Sequence, residues 1–268
     1  MRKCIAITLG IGAQGALGWY MVKSGLEEPD SKYDTVRVSQ YRLAAHFGAA
    51  AVLYAGMLWT TLNLYLPASR ELPAASELLS SDSALAAQAR KWFTQLSRGS
   101  KLVAAMVFTT AISGAFVAGL DAGLIYNEFP YMGGGLVPEG AWTLDTIARS
   151  TNSRSPDQLL PFLRFNLFDD SAAVQFNHRV LAVSTATAIT ALAAFQIVRL
   201  RKTLPLHTKM ALHSMLAAVA AQVSLGIATL LYIVPTPLAA THQGGALVLL
   251  STAIWLLQEL RRVRLPKL

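Results

Sequence analysis

Five histidines are the side chains through which this 268-residue chain could most readily do chemistry. His46, His178 and His242 each stand near the start of an apolar run, and two have an arginine close by: Arg42 precedes His46 by one helical turn, and Arg179 follows His178 directly. Neutral imidazole ligates iron, zinc or copper. His207 and His213 flank Lys209 and read as polar residues at a helix end, where long side chains reach the interface. An ionisable group at membrane depth is costly and marks a functional position by default; three at one depth on three helices read as ligands. Small residues follow two of them, Gly48 to Ala51 after His46 and Gly244, Gly245 and Ala246 after His242. Such residues let helices approach closely, and they equally let a flat macrocycle approach the backbone. No cysteine or carboxylate accompanies these histidines to complete a zinc set, so a haem with imidazole axial ligands fits better. Arg42 and Arg179 could pair with its propionates through the guanidinium fork.

The elements that must position these residues are membrane helices. The composition is 53% hydrophobic and 14% charged, where a soluble domain carries about 25% charge. That excludes an ordinary soluble domain and a disordered chain. Charge-free runs cover 4–22, 43–69, 102–120, 180–198 and 210–258. About 20 residues cross the hydrocarbon core, so the last run holds two spans, split at Pro235-Thr236-Pro237. Backbone groups inside lipid must pair internally, which makes every span a helix. The predicted fold class is an all-α polytopic bundle of six transmembrane helices.

The net charge of +8 is a topology signal. Fifteen of the 23 lysines and arginines fall on the side that holds both termini and the 71–101 and 199–209 loops, and eleven of the fifteen acids fall on the other. By the positive-inside rule the first side is cytoplasm or mitochondrial matrix, and a nucleic-acid partner is not expected. Cys4 is the only cysteine, so an intrachain disulfide is excluded. The 71–101 segment reads as partly helical. The outer loop 123–172 contains Gly133-Gly134-Gly135 and four prolines, and Leu159 to Phe168 reads as a short helix on the membrane surface or a packed connector.

An internal repeat underlies the pattern. Residues 44–53 (AAHFGAAAVL) and 240–249 (ATHQGGALVL) are identical at six of ten positions, and Gln14, Leu17 and Gly18 align with Gln222, Leu225 and Gly226. The copies lie four helices apart and point the same way, a parallel repeat of four-helix bundles. On this reading the first bundle is truncated. It is represented by the pair in 1–70, followed by an inner connecting loop, 71–101, and a C-terminal four-helix bundle in 102–268. The repeat also argues against reading the first span as a signal peptide.

Five stretches carry a family resemblance: GWYMVKSGL at 18–26, RVSQYRLAAH at 37–46, SGAFVAGLDAG at 113–123, QFNHR at 175–179 and PTPLAATHQ at 235–243. They resemble the haem A synthase family in its mitochondrial, cytochrome-oxidase-assembly branch. The resemblance implies oxidation of the C8 methyl of haem O to a formyl group, through two hydroxylations and loss of water, giving haem A. It implies a haem b held by His178 and His242, and a substrate-haem site in which His46 is one ligand and the catalytic histidine. The family's first hairpin, with a glutamate and a second substrate-side histidine, is expected to be missing here. Also implied are a haem O synthase and an electron-transfer protein such as ferredoxin as partners, and a homo-oligomer. The implied location is the mitochondrial inner membrane, with both termini in the matrix, or else a bacterial plasma membrane. The alternative class is a non-catalytic membrane b-type cytochrome or haem carrier.

Overall fold

Proline and glycine punctuate the long apolar runs, and helices fill the intervals in the computed structural model, which describes residues 2–25, 37–65, 84–142 and 159–262. Among the described residues the α-helices are α1 (Arg2–Gly25), α2 (Gln40–Tyr65), α3 (Ala84–Gly119), the short α4 (Leu159–Arg164), α5 (Ser171–Arg199), α6 (Leu206–Leu231) and α7 (Thr236–Arg262). All but α4 are long and apolar enough to cross a membrane, six spans in all, as expected. Large apolar side chains stand on the surface, Leu9 at 68% and Val198 at 73% exposure, as lipid-facing positions require.

The helices outrun the charge-free runs. Arg42 and Arg179 lie inside α2 and α5, so charge marks where the hydrocarbon ends while the helix continues into the interface. The 36 residues of α3 rise about 54 Å at 1.5 Å each, well beyond a hydrocarbon core of about 30 Å. The extension covers 84–101, the part-helical inner segment of the sequence reading; residues 66–83 lie outside the described residues.

The break at Pro235 is built as a helix stop followed by a start. Ile233 N–H donates to Leu230 O (3.0 Å) and Val234 N–H to Thr229 O (2.8 Å), the bonding of a Schellman motif. Ile233 (φ 61°) and Val234 (φ 53°) occupy the left-handed region that normally takes glycine. Pro237 then falls in the first turn of α7, where its missing N–H costs nothing.

The chain divides into two compact units. The first comprises Met1–Leu53, Thr109–Ala182 and Ser224–Gln243; the second comprises Tyr54–Phe108, Val183–Val223 and Gly244–Leu268. In the second unit Leu96, Ile189, Leu200, Leu212, Met215 and Leu256 form the buried core. There α7 is tied to α2 by Tyr54–Ser251 (2.7 Å) and by Gln258 donating to Trp59 O (3.2 Å). The second unit contains His207 and His213; the first contains His46, His178 and His242.

Candidate functional site

His46 is the seventh residue of α2, His178 the eighth of α5 and His242 the seventh of α7. At 1.5 Å per residue each lies about 10 Å into its helix, two turns deep rather than at the opening. All three are half-buried. Each ring is seated against a glycine of a different helix, Gly18 of α1 for His46, Gly114 of α3 for His178 and Gly226 of α6 for His242. A Cβ at these glycines would lie 2.8, 3.2 and 2.9 Å from the ring Cε1, where carbon atoms normally sit about 3.5–4.0 Å apart. Glycine is required there by the closeness of the ring. The His46 and His242 contacts match nearly atom for atom, and Gly18 and Gly226 are the positions aligned by the internal repeat.

The glycines singled out in the sequence are different ones. Gly48 would place a Cβ against Ile112 at 3.5 Å, and Gly244 faces open space. The glycines that matter to the rings come from the neighbouring helix, because a ring projects away from its own backbone.

Two hydrogen-bonding residues went unnoticed as site residues in the sequence. Ser113 of α3 lies 2.7 Å from His178 Nδ1 and donates its hydroxyl hydrogen to Thr110 O (2.7 Å). One hydroxyl has one hydrogen, so Ser113 accepts from His178 Nδ1–H, and the lone pair of the neutral ring is left on Nε2. Gln14 of α1 lies 3.0 Å from His46 Nδ1 and donates to His46 O at 2.8 Å. The recurrence of Gln14 as Gln222 in the repeat was the signal that could have found it; Ser113 is marked only by its place beside Gly114.

His178 and His242 lie within electrostatic range of one another, while His46 is engaged by α1. The two arginines are turned to backbone carbonyls. Arg42 donates to Ser24 O (3.3 Å), near the C-terminus of α1, and stands over the Tyr20 ring at 5.2 Å. Arg179 donates to Tyr131 O (3.0 Å) and Tyr126 O (2.9 Å) and so holds the loop that follows α3; its buried Nε–H has no hydrogen-bond acceptor among the described residues. Among those residues no group of three or more His, Cys, Asp and Glu could hold a bare metal ion.

Two polar clusters brace the helix ends around these histidines. Asn166, fully buried, accepts from Trp142 N–H (2.9 Å), donates to Phe162 O (3.0 Å), and accepts at its own carbonyl from Asn177 (2.8 Å). Trp142 closes the circuit by donating from its indole to Asn177 Oδ1 (3.0 Å), beside His178. At the start of α2, Tyr41 donates to Asp169 (2.8 Å), and Arg164 donates to the Tyr41 hydroxyl (3.2 Å) and pairs with Asp169 (3.3 Å). The Tyr41 hydroxyl and the Asp169 carboxylate hold the Arg164 pKa above its usual value. Phe168 packs on Tyr41 and Phe116, and Phe162 on Trp142. The segment 159–169 is thus a packed connector of a short α-helix and a π-helical turn; Leu160 and Leu167 remain exposed. Gly133 (φ 68°) and Gly134 (φ 87°) form a tight turn of the outer loop, whose residues 143–158 lie outside the described residues.

Fold and site together define a polytopic α-helical membrane protein that gathers glycine-seated histidines from three helices in one compact unit. The family model described as cytochrome oxidase assembly protein (COX15-CtaA) matches residues 1–254, and the chain belongs to this family. It is 50% identical over 250 residues to a mouse protein named heme A synthase COX15, covering 93% of this chain and 52% of the relative. It is 39% identical over 271 residues to heme A synthase of Nitrosospira multiformis, covering 98% and 65%. It is 40% identical over 265 residues to a Schizosaccharomyces pombe heme A synthase-mitochondrial ferredoxin fusion protein, covering 97% and 41%. The chain therefore spans about half the length of the mouse relative. No solved structure matches it.

Proposed function

We propose that this chain is part of a haem A synthase, an oxidoreductase that converts the C8 methyl of haem O to a formyl group, adding one oxygen and removing two hydrogens. The observation that carries the reading is His178: its proton is pinned on Nδ1 by Ser113, so Nε2 offers the lone pair an iron ligand needs. Family membership and relatives named heme A synthase support the substrate assignment.

The residues present fit a haem. Gly114 and Gly226 leave no side chain between ring and backbone, and His178 and His242 belong to the same compact unit. In this assignment His178 and His242, within the 102–268 portion, would hold haem b through their ring nitrogens. His46, in the 1–70 pair, would be the catalytic histidine and would hold haem O. Haem b, when bound, supplies one-electron redox chemistry. Arg179 would offer a propionate its buried Nε–H, and Arg42 the part of its fork not spent on Ser24. The glycine seats hold the imidazoles in place, and Ser113 keeps the ligating nitrogen of His178 deprotonated.

The fusion relative supports a ferredoxin as electron-transfer partner. A haem O synthase would supply the substrate and cytochrome c oxidase would receive the product. The mitochondrial relatives and the basic bias of the terminal side support an inner-membrane protein with both termini in the matrix.

The test uses the full-length protein purified from cells that make haem O. The wild type is expected to show a bis-imidazole low-spin haem b spectrum and to accumulate haem A on extraction. His178→Ala is expected to lose that spectrum. A variant that keeps it would remove the ligand assignment. Bound haem b with no haem A from the wild type would favour a b-type cytochrome or haem carrier.

A further inference from the structure

We propose that Gln14 is a positioning residue that sets the proton of His46 on Nε2, the opposite tautomer from the one Ser113 imposes on His178. The Gln14 amide atom that lies 2.8 Å from His46 O is necessarily its NH2, because a carbonyl only accepts. That same nitrogen lies 3.0 Å from His46 Nδ1. An NH2 has two hydrogens and donates one to each acceptor. Nδ1 must then present its lone pair, and the proton of the neutral ring resides on Nε2.

The consequence rests on His46 being the substrate-side ligand. Iron takes an imidazole through a bare nitrogen. His178 holds that nitrogen ready, whereas His46 shows an N–H at Nε2 until Gln14 releases Nδ1 and the proton changes ring position. Loading the His46 seat therefore carries a cost that loading the His178 seat does not. A weakened, exchangeable seat suits a haem that must arrive as substrate and leave as product, and a preset seat suits one that stays. Both rings are packed against a glycine, more tightly at His46 (2.8 Å) than at His178 (3.2 Å), and the difference in hydrogen-bond polarity is separate from that difference in space.

The test measures proton position directly on the haem-free, full-length protein in nanodiscs. It uses 15N-histidine labelling and solid-state NMR, with signals assigned by loss in His46→Ala and His178→Ala. Wild type is expected to show His46 protonated at Nε2 and His178 at Nδ1. Gln14→Leu removes the donor and should move the His46 proton toward Nδ1; Gln14→Glu, which is nearly isosteric and accepts from Nδ1, should do so more fully and serves if the leucine variant does not fold. With ferric haem b as the probe, retention at the His46 seat should tighten by about 10- to 100-fold in Gln14→Leu, the size of other outer-shell effects. A His46 proton on Nδ1 in the wild type, or a tautomer indifferent to position 14, overturns the inference. If His46→Ala leaves the haem stoichiometry unchanged, the ligand role of His46 fails instead, while the NMR result still decides what Gln14 does.

Discussion

The seats of His46 and His178 differ in how they are held, although both rings rest on a glycine of another helix, α1 for His46 and α3 for His178. At His46 the partner is Gln14 of α1, a donor. At His178 the partner is Ser113, an acceptor, on the 36-residue α3, and the buried Asn166 circuit braces the start of α5. Close approach of ring to backbone is thus a shared requirement of the two seats. Hydrogen-bond polarity is set separately at each, by Gln14 at one and Ser113 at the other.

The largest effect should come from filling the seats. Gly226→Leu and Gly18→Leu push a branched side chain into a ring whose Cε1 already lies within 2.9 Å of a bare Cβ, so each should displace its histidine and abolish haem retention at that seat. Alanine sharpens the comparison: Gly226→Ala and Gly18→Ala should weaken haem retention more than Gly114→Ala, where the gap is 3.2 Å. Haem content per protein, measured after gel filtration, checks both. Equal retention in all three alanine variants would mean the seats yield freely and the glycines are incidental.

Bracing should matter next. Asn166→Ala strands Trp142 N–H and Phe162 O in a part-buried setting, at a cost of about 1–3 kcal/mol. Reversible unfolding in mixed detergent should register the loss, and haem at the His178 seat should become easier to remove. The smallest effect is expected at the outer rim of the His46 helix. Tyr41→Phe deletes the hydroxyl between Arg164 and Asp169, but the Arg164 side chain is 69% exposed and water can replace it, so about 0.5–1.5 kcal/mol is the upper range. A larger loss from Tyr41→Phe than from Asn166→Ala would invert the contrast between the seats.

Much of the architecture was legible in the chain. Five charge-free runs and one Pro-Thr-Pro break specify six spans, because lipid admits a continuous helix and excludes a charge or an unpaired amide from its core. His46, His178 and His242 stood out for the same reason, since an imidazole at membrane depth needs a purpose. The helices start ahead of the charge-free runs, by nine residues at α5 and eighteen at α3, because charge reports the edge of the hydrocarbon and backbone hydrogen bonding continues past it.

Sequence by itself therefore determined what lipid enforces: the number of spans and the break at Pro235. Only the tertiary structure decided which glycines face the rings, that Arg42 and Arg179 reach backbone carbonyls, and which ring nitrogen of His46 and of His178 is hydrogen-bonded. Burial in lipid acts on each residue alone and can be read one position at a time. Ring contact and hydrogen-bond polarity belong to pairs brought together from different helices, such as Gln14 with His46, and these exist only once the helices have packed.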